Sequence, residues 1–184
     1  GKNGITDVGP RSAHITNMGY ACFTDPSLLE GAALYHMQPR ENDPDDYVAI
    51  RLNNGESVTI TNTCAANVLG ILAEGDYACG NEDSARMAIK LLADEVGMSV
   101  EDTARAILQK STDKIKPVIE DLITKYKIER DQIVLVGAGG GAGTLLTFTA
   151  NDMGFKYQIP ENAEVISSIG VALAMVREMV ERTL

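Results

Sequence analysis

Hydrophobic and polar positions alternate with a period of two at "YVAIRL" (47 to 52) and again at "SVTITNT" (57 to 63). Between these runs stand Asn53, Asn54 and Gly55, so the pattern predicts a β-hairpin closed by a type I′ turn. Residues 1 to 46 show no such period. They are irregular in character, rich in Gly, Pro, Asp and Asn, with "GPRSAHI" and "PRENDPDD" as turn-prone punctuation. After the hairpin, "AANVLGIL" (65 to 72) predicts a short apolar helix closed by "EGDYACGN".

The period then becomes helical. Asn81 is placed to cap a helix with Glu82 and Asp83 in its first turn, an apolar face of Ala85, Ala88, Leu92 and Val96, and a stop at Gly97. Ser99 with Asp102 resembles a capping box. It opens a longer helix with Ala104, Ile107, Leu108, Ile115, Ile119, Leu122 and Tyr126 on one side, which Pro117 should interrupt and kink because proline removes a backbone donor. "QIVLV" (132 to 136) is too short and too β-rich for a helix and predicts a buried strand. A glycine loop follows, then a helix near 143 to 153 stopped by Gly154, a short strand at 155 to 159, and Pro160. A last helix is predicted from about 163 to 183, with Val165, Ile169, Ala172, Leu173, Val176 and Val180 facing the core. The order of strands and helices is that of an α/β layered domain. It divides the chain into an irregular segment, 1–46, and an α/β lobe, 47–184.

Composition narrows the function classes. With 45% hydrophobic residues in 184, the chain can bury a proper core. A formal net charge of −10 and a pI near 4.6 argue against nucleic acid and anionic membrane as partners, which such a surface repels. Cys22, Cys64 and Cys79 are odd in number, without a Cys-x-x-Cys pair or clustered histidines, so neither a disulfide scaffold nor a metal site is signalled, and a reducing cytoplasm is expected. No apolar run reaches the roughly 18 residues that span a bilayer.

The densest chemical signal is "VLVGAGGGAGT" (134 to 144), where Gly137, Gly139, Gly140, Gly141 and Gly143 follow a strand and open a helix. A Walker loop is excluded, because Gly143 precedes Thr144 without the lysine that would reach a phosphate. Gly137, Gly139 and Ala142 fit the looser dinucleotide pattern, yet Glu161 and Glu164 lie beside a proline and a helix start instead of ending a second parallel strand. Two readings stay open: a backbone cradle for adenosine or phosphate at a helix N-terminus, or close packing of helix on strand.

The flanks carry more. "SVEDTARAILQKSTDKIKPVIEDLITKYKIERDQIVLVGAGGGAGTLLTFTANDMGF" (99 to 155) resembles the C-terminal region of hydantoinase and oxoprolinase A-type subunits, with their Leu-Val-Ala-Phe-Gly-Gly-Ala-Gly-Pro-Leu-His-like strand and loop. "VGPRSAH" with "YACF", "TITNTCAANVLGIL" with "GDYACG", and "PENAEVISSIGVALA" are similar to further segments of that family, in the same order. The resemblance implies the second lobe of an actin-like ATPase fold, strands with packed helices. It further implies an adenine-nucleotide site lined by Gly137, Gly139, Gly140, Gly141, Gly143 and Thr144 that takes ATP with Mg. The implied activity is ATP-dependent hydrolysis of cyclic amides of the hydantoin or 5-oxoproline kind, and the alternative is a non-catalytic ATP-binding reactivating or repair chaperone of the same fold.

The departures from the family are specific. Its Asp-x-Gly-Gly-Thr phosphate segment is absent, so the implied partners are an N-terminal lobe of the same polypeptide, a B-type subunit and a small cyclic amide, and the piece alone should not turn over. Asn62 stands where the family tends to have Asp, and "GTLLT" lacks its Pro and His. Elsewhere the plainer readings win. His14, beside Arg11 and Ser12, is expected to be a solvated loop histidine, and His36 a partly buried one. "ENDPDD" is expected to be a solvated acidic turn, Cys22 a small buried residue, and Ser167 and Ser168 a close-approach site in the last helix. Asp7 and Asp152 are carboxylates near motifs without a visible acid/base partner.

Overall fold

A computed structural model describes residues 4–8 and 17–174. The chain is α/β, as expected, with two small sheets and six α-helices among the described residues. Four strands, β1 (Gly19–Tyr20), β2 (Ala33–Met37), β3 (Tyr47–Arg51) and β4 (Ser57–Thr59), form one sheet in the order β1-β4-β3-β2. β1 runs parallel to β4 and the other pairs are antiparallel, with Leu34 opposite Ile50 and Ile50 opposite Val58. Two of these strands, and the single-turn α1 (Pro26–Leu29), come from the segment that the sequence pattern leaves irregular. Their strands are too short, or too mixed in polarity, to carry a visible period.

The hairpin is present, but its turn is not type I′. Only Gly55 is left-handed (φ +87°), with Leu52 N–H donating to Glu56 O at 2.9 Å and Gly55 N–H to Leu52 O at 3.0 Å. Asn53 is held instead from outside the hairpin: its backbone N–H donates to Leu28 O and its Nδ2 to Ser27 O at 2.8 Å. The strand also ends earlier than the alternation suggests. Thr61 leaves it to cap α2 (Asn62–Leu69), its hydroxyl accepting from Cys64 N–H, and Gly70 closes that helix in the left-handed conformation.

α3 (Glu82–Val96) and α4 (Val100–Tyr126) start where the sequence says. Asn81 and Ser99 each accept from the backbone three residues on, and Gly97 ends α3 left-handed. The sheet face of Ile50, Leu52 and Val58 packs with Cys64, Ala65, Ala66 and Val68 of α2, Ala85, Ala88 and Ile89 of α3, and Ala104 and Leu108 of α4. Alanine at so many helix contacts allows α2 to lie close to both α3 and α4, at the centre of the molecule. α4 continues through Pro117 as one helix.

The remaining unit is a strand, helix, strand crossover: β5 (Val134–Val136), α5 (Ala142–Met153) and β6 (Lys156–Gln158), with β5 and β6 parallel. Here the expected burial fails in three elements, at Val134 and Val136 of β5, at Leu122 and Tyr126 of α4, and at Val165, Ile169, Ala172 and Leu173 in and before the last helix. Val136 is 64% exposed, Tyr126 at the end of α4 is 64% exposed, and Leu173 in α6 (Ile166–Leu173) is 77% exposed. A two-stranded sheet has no further layer to bury its second face, and α4 extends beyond α2 and α3, against which its first half packs. Val176 and Val180 lie outside the described residues. Among the described residues no helix is long and apolar enough to cross a membrane.

Candidate functional site

The glycine loop sits between β5 and α5, and its glycines do different work. Gly137 is buried, and a Cβ there would come 2.7 Å from Leu146 Cδ2 and 3.0 Å from Ala142 Cβ, so it is the close-packing glycine of strand on helix. Gly139 is left-handed (φ +91°), a conformation that disfavours any side chain, and its N–H donates to Ala163 O at 2.7 Å. Gly143 is buried against the carboxylate of Asp76, which a Cβ would overlap. Gly140 and Gly141 are exposed: the first lies in ordinary contact with the Tyr77 ring, and nothing lies within 4 Å of a Cβ built on the second. Both readings of the loop therefore hold, at different positions. Gly137 and Gly143 pack, whereas Gly140 and Gly141 leave backbone open.

Gly141 is the N-cap of α5 and supplies no side-chain cap, so the positive end of a 12-residue helix meets open glycine backbone on one side and the Asp76 carboxylate, against Gly143, on the other. The loop carrying Asp76 and Tyr77 is what approaches it. In the sequence "GDYACG" stands at 75 to 80, remote from the glycine loop, and only the fold brings the two together. Asn67 fixes this loop, Nδ2 donating to Thr63 O and Ala78 O at 2.8 and 2.9 Å while Oδ1 accepts from Gly80 N–H at 2.8 Å. Asp76 Oδ1 accepts from Ala78 N–H at 2.8 Å.

Two clefts flank α5. One, of about 480 Å³, is apolar and lies among Ile115, Ile119, Val136, Gly137, Ala138 and Leu146. The other, of about 360 Å³, mixes polar groups with a larger apolar lining and lies where the N-termini of α2 and α5 converge, with Thr61, Asn62 and Thr63 on one side and Gly141 and Thr144 on the other. Gly141 and Leu145 border both. Thr144 is 1% exposed and its Oγ1 is buried with no hydrogen-bond partner. Asn62 is anchored at its base, since Ser111 Oγ donates to its Oδ1 at 2.9 Å.

Other residues singled out in the sequence fall away from these clefts or into pairs. Asp7 borders the α2/α5 cleft but is bound to Lys114 at 2.7 Å, whose ammonium holds its carboxyl below the usual range. Asp152 pairs with Lys116 at 2.6 Å. His36 keeps about a third of its side chain exposed and pairs with Glu95 at 3.0 Å, which raises its pKa. Asp43 of the acidic turn is buried, not solvated. Cys22 is fully buried beside Cys64, whose hydrogen bond, with burial, pushes the Cys22 thiol up. Ser167 and Ser168 are exposed on α6, while Arg11, Ser12 and His14 lie outside the described residues. Among the described residues no three His, Cys, Asp or Glu side chains converge as a metal cluster.

The family model described as hydantoinase/oxoprolinase matches residues 1–180. No curated protein matches the chain.

Proposed function

The chain belongs to the hydantoinase/oxoprolinase family, and from that premise we propose that it supplies the adenine-nucleotide-binding lobe of a hydantoinase-like, ATP-dependent hydrolase of cyclic amides. The observation that carries the reading is the open backbone at Gly140 and Gly141, in front of the uncapped N-terminus of α5. A helix N-terminus with bare glycine before it favours phosphate, because free amides and the helix dipole both face the anion. The apolar cleft beside Gly137 and Ala138 is large enough for a base and ribose. Mg²⁺ carried by a nucleotide needs only one or two protein carboxylates, and Asp76 is the carboxylate beside the helix start. When bound, ATP would supply the phosphoryl group that converts an amide oxygen into a better leaving group. This chain's part is to hold and orient the phosphates by backbone donors. The Asp-x-Gly-Gly-Thr segment of a partner lobe, and a B-type subunit, complete the proposal.

Calorimetric titration of Mg-ATP into the full-length polypeptide that carries this chain, and into its Gly140→Val variant, tests the reading. Gly140 is the right position because its φ is not left-handed and its nearest neighbour is in ordinary contact, so the fold tolerates a side chain that would fill the cradle. Binding weakened by about tenfold or more is expected from the loss of close backbone approach. Equal binding in both proteins would sink the assignment. Nucleotide binding without amide hydrolysis would favour the chaperone alternative.

A further inference from the structure

The glycine loop has a neighbour that holding phosphates does not use, the ring of Tyr77. Tyr77 is 75% exposed, yet the loop that carries it is braced. Asn67 binds that loop at Ala78 O and Gly80 N–H, Asp76 N–H donates to Ala73 O at 3.1 Å, and Cys79 N–H donates to Asp76 O at 2.9 Å. A large ring held in water on fixed backbone forgoes apolar burial and stays available to a ligand. It meets Gly140 by one edge only. A Cβ on Gly140 would stand 3.5 Å from Tyr77 Cδ1 and 3.6 Å from Cε1, with no other ring atom within 4 Å, so ring surface is left free beside the loop. Next to that surface, among the described residues, neither Gly140 nor Gly141 has its N–H in a hydrogen bond.

Gly140 and Tyr77 line neither cleft, whereas Gly141 borders the apolar cleft proposed for the base and ribose. From that cleft the loop leads over Gly141 to Gly140 and Tyr77. The ring therefore stands at the phosphate end, away from the base. Resting on the nucleotide reading above, we infer that Tyr77 is a substrate-binding residue, its ring the platform on which the planar ring of the cyclic amide stacks beside the terminal phosphate. The chemistry of this corner selects that class. A flat ring gains from an aromatic face while its polar edge turns to backbone donors, and an open-chain amide gains less. Asp76 precedes Tyr77 and lies against Gly143, so one braced loop offers the carboxylate for a nucleotide's metal and, one residue on, sets the plane of the acceptor.

The test uses the full-length polypeptide that carries this chain, labelled with fluorotyrosine. The Tyr77 fluorine signal is identified by its loss in Tyr77→Phe, and hydantoin and 5-oxoproline are each titrated with and without a non-hydrolysable Mg-ATP analogue. A saturable shift of the Tyr77 signal with at least one of the two amides is expected. By calorimetry, Tyr77→Ala should raise the Kd of that amide about tenfold and Tyr77→Phe should keep it within about twofold, while both bind Mg-ATP as the wild type does. The ring is exposed, so the melting temperature of Tyr77→Ala should not fall, which separates lost stacking from lost folding. No saturable shift with either amide, or equal amide affinity in wild type and Tyr77→Ala, would overturn the inference. Weaker Mg-ATP binding in Tyr77→Ala with tripolyphosphate binding intact would also overturn it, by placing the base on the ring. If Gly140→Val leaves Mg-ATP binding unchanged while an amide still shifts Tyr77, the nucleotide reading fails alone and the stacking platform stands.

Discussion

The Asp76 carboxylate lies directly over the α-carbon of Gly143, so close that a Cβ on Gly143 would stand 2.8 Å from Asp76 Cγ. A carboxylate at the first turn of α5 complements the helix dipole, and its fixed position depends on the Ala78 N–H it accepts. Gly143→Ala should therefore destabilise the fold by about 1–3 kcal/mol, the range for overpacking a tight site. Gly140→Ala, which meets only an ordinary contact with the Tyr77 ring, should cost far less. Urea unfolding of both variants gives the comparison, and equal midpoints would show that Asp76 yields freely.

Asn67 makes three hydrogen bonds to backbone, to Thr63 O, Ala78 O and from Gly80 N–H, all between 2.8 and 2.9 Å. Asn67→Ala leaves Ala78 O and Gly80 N–H without this partner, and a cost of roughly 2–3 kcal/mol is expected. The effect should be local in one respect. Hydrogen exchange at Gly80 should accelerate more than exchange in α3, because the loop that carries Asp76 and Tyr77 loses its anchor while Asn81 still caps α3. A uniform acceleration throughout the molecule would mean that Asn67 acts on the core and not on the loop.

His36 on β2 and Glu95 on α3 join the sheet to a helix at 3.0 Å, with His36 Nδ1 also 3.3 Å from Asp46 O. The Glu95 carboxylate raises the histidine pKa above its ordinary value of 6.5. A raised pKa in the folded state means that the pair's contribution is fully present below the unfolded value and is lost as pH rises through the folded one. Both side chains are about one-third exposed, so solvent screening keeps the contribution under about 1 kcal/mol. The stability difference between wild type and His36→Gln should be largest near pH 6 and shrink toward pH 9 or so. A difference that grows with pH would reverse the sign of the linkage.

What could be read from the sequence was whatever local chemistry decides. Asn81, Ser99, Gly97 and Gly154 fix helix ends through their own side chains or backbone freedom, and these ends fall where they were expected. The turn at Asn53 was misread because its conformation is set by Ser27 and Leu28, contacts made 25 or so residues away, beyond any local pattern. Val136, Tyr126 and Leu173 were assigned to the core because apolar periodicity reports a face and not what covers it. The glycine loop was legible as a site, yet its division into packing and open glycines was not. Gly137 and Gly143 owe their role to Leu146 and Asp76, whose proximity only the fold creates. The cleft between α2 and α5 is invisible for the same reason: it joins Asn62 to Thr144 from opposite halves of the chain.

Three cysteines in very different surroundings give the last prediction. Cys22 and Cys64 are fully buried in the core between the sheet and α2, whereas Cys79 is exposed on the loop beside Tyr77. The hydrogen bond between the two core sulfurs raises the Cys22 thiol and lowers that of Cys64, but burial excludes reagent from both, so neither offers an accessible thiolate. A disulfide reagent should therefore modify one thiol per native chain quickly, and all three in urea. Cys79→Ser should abolish the fast phase. The slow phase then reports opening of the core, and its rate should rise in Gly143→Ala and Asn67→Ala in proportion to their loss of stability if labelling waits on global unfolding. Two or three fast thiols in the wild-type chain would show instead that the contact of the Ala21–Phe23 turn with α2 opens in the native state, and the packing of the core at Cys22 would have to be revised.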